Sequence, residues 1–315
     1  SRPRWNRDQN RSEMSCKYTG FAYSRRQFLI RGAGAGLSVA LAPSLLAACG
    51  GSGAKGLDLN TVSLVQRFPK EVLTPGRIRL PISLGNAEGV ISTKSGVKIP
   101  ESLRFVVSDL DGNALFEDDF IVRAHITDVP QPYWPLVVEL NEPGTYIISL
   151  LGADAAGAAF QVTPSSEVSI PTVGLPLPPI DTPTTQNARG VNPICTRQPE
   201  PCPLHDVNLR DALTMGKPVV YLLGTPAYCQ TGTCTPALDA LLAAHKSFGD
   251  QAIFIHAEVY TDNTATVSAP AVTAHKMSFE PALFIADAKG TLVERLDAIF
   301  DSSEVLDALS RNGIS

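Results

Sequence analysis

Residues 164–203 hold ten of the chain's 25 prolines, and this stretch constrains the fold more than any other. Proline fixes φ and has no N–H to give, so a run this dense sustains neither a helix nor a central strand. Threonine and serine fill much of the space between, as in "PLPPIDTPTTQ". The segment is therefore expected to be extended and semi-rigid. It divides the chain into a first domain at 58–163, a linker at 164–204 and a second domain at 205–315.

The two parts carry different patterns. Before the prolines, short apolar runs recur between turn signals: "VSLVQRF", "RIRLPISL", "LRFVVSD", "FIVRAHIT", "PLVVEL", "GTYIISLLG" and "AAFQVT". "LDGNAL" and "NEPGTY" supply turn chemistry between them. Short strands at this spacing predict an all-β, antiparallel sandwich of immunoglobulin-like type. It contains no cysteine, and its histidine, His125, reads as an ordinary strand side chain. After the prolines the order becomes βαβ and then αββα. "KPVVYLLG", "QAIFIHAEVY", "PALFIADAKG" and "TLVERLDAIF" read as strands, and "CTPALDALLAAHKSFG" and "SSEVLDALSRN" as helices, the last capped by Ser302 or Ser303. Such alternation predicts one mixed sheet covered by helices.

The first 48 residues read as an export signal. "SRRQFLI" carries the pair Arg25 and Arg26, followed by the weakly apolar "GAGAGLSVALAPSLLAA". A basic region, a short apolar region and small residues at the end fit a signal peptide of the twin-arginine route. Leu46-Ala47-Ala48-Cys49 resembles the bacterial lipobox, which implies lipidation of Cys49 and a short flexible tether, 49–57, behind it. The expected location is the cell envelope, on its extracytoplasmic side, with the lipid as the only membrane contact. Eight of the 26 basic residues but two of the 31 acidic ones precede Cys49, so the remaining chain has a formal charge of −11. That acidity makes nucleic acid a poor partner.

With Cys16 in the signal and Cys49 lipidated, four cysteines remain: Cys195, Cys202, Cys229 and Cys234. An even number outside the cytoplasm suggests disulfides between sequence neighbours, although sequence alone does not fix the pairing. "GKPVVYLLGTPAYC" and "FEPALFIADAKGTLVERLD" resemble the strand-to-active-site and proline-to-hairpin segments of the thioredoxin family, and the resemblance covers 205–314. It implies a thioredoxin-like α/β domain in which Cys229 attacks, Cys234 resolves and Pro281, in the cis form, lies beside them. Thiol–disulfide exchange on exported proteins follows from that resemblance and requires no cofactor or metal.

The sequence also departs from the family. Four residues, "QTGT", separate the cysteines where the family has two; Tyr228 stands where a tryptophan is usual, and Glu280 precedes the proline. A carboxylate so near is expected to disfavour the Cys229 thiolate. Three readings of the pair stay open: a reversible redox couple, a permanent disulfide in a scaffold used for binding or assembly, and a thiolate site for Cu(I) or Zn completed by His256 or His275. For "CTRQPEPC" the readings are a local disulfide between Cys195 and Cys202, exchange with Cys229, or one metal shared by all four cysteines. His205, three residues beyond Cys202, adds a possible ligand type beside the pair but reads first as a helix-entry residue.

Overall fold

In runs such as "SLRFVVS", "WPLVVEL" and "AAFQV" buried side chains alternate with more exposed ones, and that period of two is what a half-buried strand demands. The computed structural model of the chain describes residues 55–154 and 156–315. Arg25, Arg26, Cys16, Cys49 and most of the tether lie outside the described residues. Ten strands precede the proline-rich stretch: β1 (Lys55–Gly56), β2 (Ser63–Gln66), β3 (Gly76–Asn86), β4 (Gly89–Val90), β5 (Val97–Lys98), β6 (Ser102–Ser108), β7 (Phe120–Arg123), β8 (Trp134–Leu140), β9 (Gly144–Leu150) and β10 (Ala158–Val162). The long β3 pairs antiparallel with β2, β4 and β8. A second antiparallel sheet runs β10-β9-β6-β7. Leu80, Ile82, Leu84 and Leu136 of the first sheet share one core with Leu103, Phe105, Ile148 and Phe160 of the second. Two antiparallel layers thus enclose the apolar faces that the alternation marked.

The C-terminal part contains α1 (Leu209–Ala212), β11 (Val219–Leu223), α2 (Cys234–Phe248), β12 (Ile253–Ala257), α3 (Pro270–Ala274), β13 (Ala282–Ala286), β14 (Leu292–Asp297) and α4 (Ser302–Arg311). Its sheet runs β12-β11-β13-β14, with β12 parallel to β11 and the other pairings antiparallel. The central strand "VVYLL" is buried at every position, as a strand covered on both faces must be. Val220 and Leu222 pack with α2 and α4 on one face; Val219, Tyr221 and Leu223 pack with α1 and α3 on the other. Helix α4 is capped by Asp301, whose carboxylate accepts from the Glu304 N–H at 2.9 Å. Neither Ser302 nor Ser303 takes that role, because both already lie inside the first turn.

The proline-rich stretch is free of strands and α-helix, but it is not a spacer held away from the body. Ile170, Leu177, Val191, Cys195, Cys202 and Leu204 are buried. Its backbone is hydrogen-bonded to the edge strand β14 and the turn before it: Gly174 N–H to Leu292 O at 2.8 Å, Leu177 N–H to Gly290 O at 2.9 Å, and Leu292 N–H to Leu175 O at 2.9 Å. Proline restricts how a segment bends; the apolar residues between the prolines decide where it lies.

The β-rich and C-terminal parts also touch directly, within one unit spanning Ser52–Ser315. Arg79, on β3, donates to Glu304 Oε2 of α4 at 2.8 Å and to the Asp297 carbonyl at 3.1 Å. The Tyr133 hydroxyl donates to the same Glu304 oxygen at 2.7 Å and accepts from the Asp301 N–H at 3.0 Å. His125 is no solitary strand histidine: its Nδ1 lies 2.9 Å from Asp301 Oδ2.

Candidate functional site

Strand β11 delivers the chain through Gly224 and Thr225 to "PAYCQTGTC", and α2 begins at Cys234 itself. The loop is closed by the Gly232 N–H, which donates to the Cys229 carbonyl at 3.2 Å. Gly232 has φ +70, a left-handed conformation in which an L side chain is strained. The turn there brings Cys229 back to the start of α2. The first-turn N–H groups of a helix lack partners within it. The Cys234 N–H spends its hydrogen on Cys229 Sγ at 3.3 Å, while Thr233, at the N-cap, makes no side-chain cap.

Electrostatics follow from that geometry. The Cys229 thiol is pulled down to about 4. The largest cause is a hydrogen bond from the Cys234 thiol; burial opposes it, and the Thr231 hydroxyl and the amides of Cys234 and Thr233 add to it. Thr231 Oγ1 lies 3.3 Å from the sulfur and 2.7 Å from Thr233 Oγ1. Cys234 is driven the other way, upward, first by burial and then by the neighbouring Cys229. One sulfur is thus half-buried and ionised, the other fully buried and protonated.

Glu280 completes the group, with a carboxylate oxygen and both sulfurs within 4.8 Å of one another. Burial, then the charge of Cys229, raises its pKa. The sequence suggested that this carboxylate would make Cys229 a weaker acid; the net direction is opposite, because the donors around the sulfur outweigh one repulsive charge. The Glu280–Pro281 bond is cis. A Cβ on Gly224 would stand 3.5 Å from Pro281 Cβ and 3.7 Å from Cys234 Sγ, so proline, glycine and buried thiol pack together. The Tyr228 hydroxyl donates to Asn263 Oδ1 at 2.9 Å, and its ring meets Tyr260 edge-on at 6.1 Å.

One contribution was invisible in the sequence. Arg67, the residue after β2 in the β-rich part, feels the Cys229 charge, which partly offsets the lowering of its own pKa by burial. Its guanidinium donates to Gln131 Oε1 at 3.1 Å. The β-rich part therefore contributes a cation to the thiolate's surroundings.

The histidines are sorted by sheet face. His275 packs beside Tyr221 and Phe284, with ring centroids 5.8 and 5.7 Å away. Burial holds it down to about 4, so it is a neutral side chain of the face away from the thiols. His256 points to the opposite face, where Cys195, Cys202 and His205 meet it. All four described cysteines are free thiols. Compared with known families and curated proteins, the chain matches no family model and no curated protein.

The depressed pKa has a direct kinetic reading. Only the thiolate is alkylated, so reactivity is present above the folded pKa and lost as pH falls through it. Iodoacetamide should modify Cys229 of the reduced protein at a pH-independent rate between about pH 6 and 9, with a midpoint of about 4 below that. Rates followed by peptide mass would contradict the geometry if the midpoint lay near the ordinary thiol value of about 8.5.

Proposed function

We propose that this chain is a thiol–disulfide oxidoreductase of thioredoxin-like type, tethered to the envelope by its N-terminus and acting on exported proteins. The β-rich part would then be an immunoglobulin-like sandwich that flanks the redox loop. The observation that carries the reading is the asymmetry of one pair: Cys229 half-buried and ionised at the start of α2, Cys234 buried and protonated behind it. No helix among the described residues is long and apolar enough to cross a membrane, and the tether rests on the Cys49 motif alone.

The chemistry balances without a cofactor. In the oxidising direction a partner thiolate attacks Cys229 of the Cys229–Cys234 disulfide, that S–S bond breaks, and Cys234 leaves and takes a proton. Glu280, within 4.8 Å of both sulfurs, is the group positioned to supply it. A second partner thiolate then attacks the partner's own sulfur, forms the partner disulfide and releases Cys229 as a thiolate. A stabilised Cys229 thiolate favours the reduced enzyme, and hence oxidation of the partner. The couple should therefore lie nearer about −120 mV than about −270 mV.

Trapping tests the division of roles. Given glutathione disulfide, the reduced full chain with Cys234→Ser should accumulate a glutathione adduct at Cys229. The unaltered chain should release its adduct by closing Cys229–Cys234. If both chains hold glutathione equally long, Cys234 is not a resolving thiol and the reading fails.

A further inference from the structure

The exchange reaction uses nothing from the other buried thiol pair. Cys195 and Cys202 are each 4% exposed, His205 1% and His256 0%. One ligand atom from each of the four lies within 4.8 Å of every other. The measured separations are Cys202 Sγ to His205 Nε2 3.2 Å, Cys202 Sγ to His256 Nδ1 3.4 Å, and Cys195 Sγ to His256 Nδ1 3.7 Å. A tetrahedral Zn²⁺ with Zn–S about 2.3 Å and Zn–N about 2.0–2.1 Å requires S···N edges of about 3.6 Å. The three measured edges fall around that length.

The orientation of the rings is independent support. His256 donates its Nε2–H to the Gly224 carbonyl at 3.0 Å, which leaves the Nδ1 lone pair facing the sulfurs. His205 turns its Nε2 to Cys202 Sγ, so one nitrogen of each ring faces the thiols. Charge also closes: two thiolates neutralise Zn²⁺, so the filled site buries no net charge.

We infer that Cys195, Cys202, His205 and His256 form a closed, structural Cys2His2 site for Zn²⁺. Four protein ligands leave no position for water or substrate, and a tetrahedral S2N2 set selects Zn²⁺ among divalent ions. Loading releases two protons, one from each thiol, and changes no oxidation state. The site fastens the proline-rich segment to β12. Next to it, Thr196 donates to Glu258 Oε1 through its N–H and hydroxyl at 2.6 and 2.8 Å, and Thr196 Oγ1 accepts from the Ala227 N–H at 3.1 Å. That chain of contacts ends two residues before Cys229. The inference does not depend on what Cys229 does.

The test uses the full chain, reduced, incubated with Zn²⁺ and dialysed, with metal and protein quantified together. One Zn²⁺ per chain is expected, and Cys229→Ser/Cys234→Ser should retain it. His256→Ala and Cys202→Ser should each weaken binding at least about a hundredfold. Co²⁺ in place of Zn²⁺ should give the intense visible absorption of a tetrahedral thiolate site, a readout that does not depend on any variant folding. The inference is overturned if the reduced chain retains no Zn²⁺, if the metal is lost with Cys229 and Cys234 instead, or if the chain keeps Cu(I) and refuses Zn²⁺. A Cys195–Cys202 disulfide that resists reduction in the folded chain would overturn it equally.

Discussion

With Cys229 replaced by serine, disulfide exchange should fall to the level of the uncatalysed reaction. The loss is expected to be on the order of a thousandfold or more, as for removal of any essential nucleophile. A serine hydroxyl keeps the hydrogen bonds that Thr231 and the Cys234 N–H offer at 3.3 Å, so the loop should retain its shape. It is not ionised at any working pH and cannot form a mixed disulfide. The same variant should release Cys234 from its hydrogen bond without making it reactive, because burial, the largest cause of its high pKa, is unchanged. Exchange is measured as oxidation of a reduced peptide, with the fold checked by circular dichroism. Activity retained within tenfold would mean that another group performs the attack.

The second large effect concerns stability. Arg79 and Glu304 have side chains only 7% and 10% exposed, and they join β3 to α4 across the two parts of the molecule. Tyr133 shares the carboxylate at 2.7 Å. The Arg79 guanidinium is held above its ordinary pKa although burial, the largest influence, acts downward; the adjacent Glu304 more than offsets it. Arg79→Met leaves a buried carboxylate unpaired and should cost about 3–5 kcal/mol. Arg79→Met together with Glu304→Leu removes both charges and should restore much of that loss, because a buried pair is often replaceable by apolar residues of similar volume. Urea unfolding of the four chains of this cycle measures the coupling. Additive losses would mean that the two charges do not depend on one another.

These two predictions differ in how far the sequence anticipated them. "YCQTGTC" makes its own grouping plain, because both thiols and the glycine that closes the loop lie within a few residues. The strands "KPVVYLLG" and "PALFIADAKG" are equally plain: continuous apolar runs bounded by Gly and Pro have few alternatives to a central strand. The cis Glu280–Pro281 bond matches what the family resemblance implied.

Long-range pairing was not legible. Arg77 and Arg79 share one strand face, yet their side chains are 44% and 7% exposed; the partners that cover Arg79, Tyr133 and Glu304, come from distant parts of the chain. His256 reads as a residue in a strand, and its partner Cys195 lies 61 positions earlier. Bringing them together needs both the register of β12 and the course of the proline-rich segment. Composition gave that segment's conformation and not its location. The balance at Cys229 was not legible for a related reason: Glu280 is visible in the sequence as a charge, whereas the thiol, hydroxyl and amide donors that outweigh it are set in place only once the loop has closed.

The most direct measurement is a redox titration of the full chain in glutathione or dithiothreitol buffers, with thiols trapped by a mass-shifting alkylator and peptides mapped. Cys229–Cys234 should open and close reversibly, with a midpoint between about −120 and −200 mV. A pair that stays oxidised down to about −300 mV or below is a structural bond, and that result would contradict the assignment of Cys229 as the attacking sulfur.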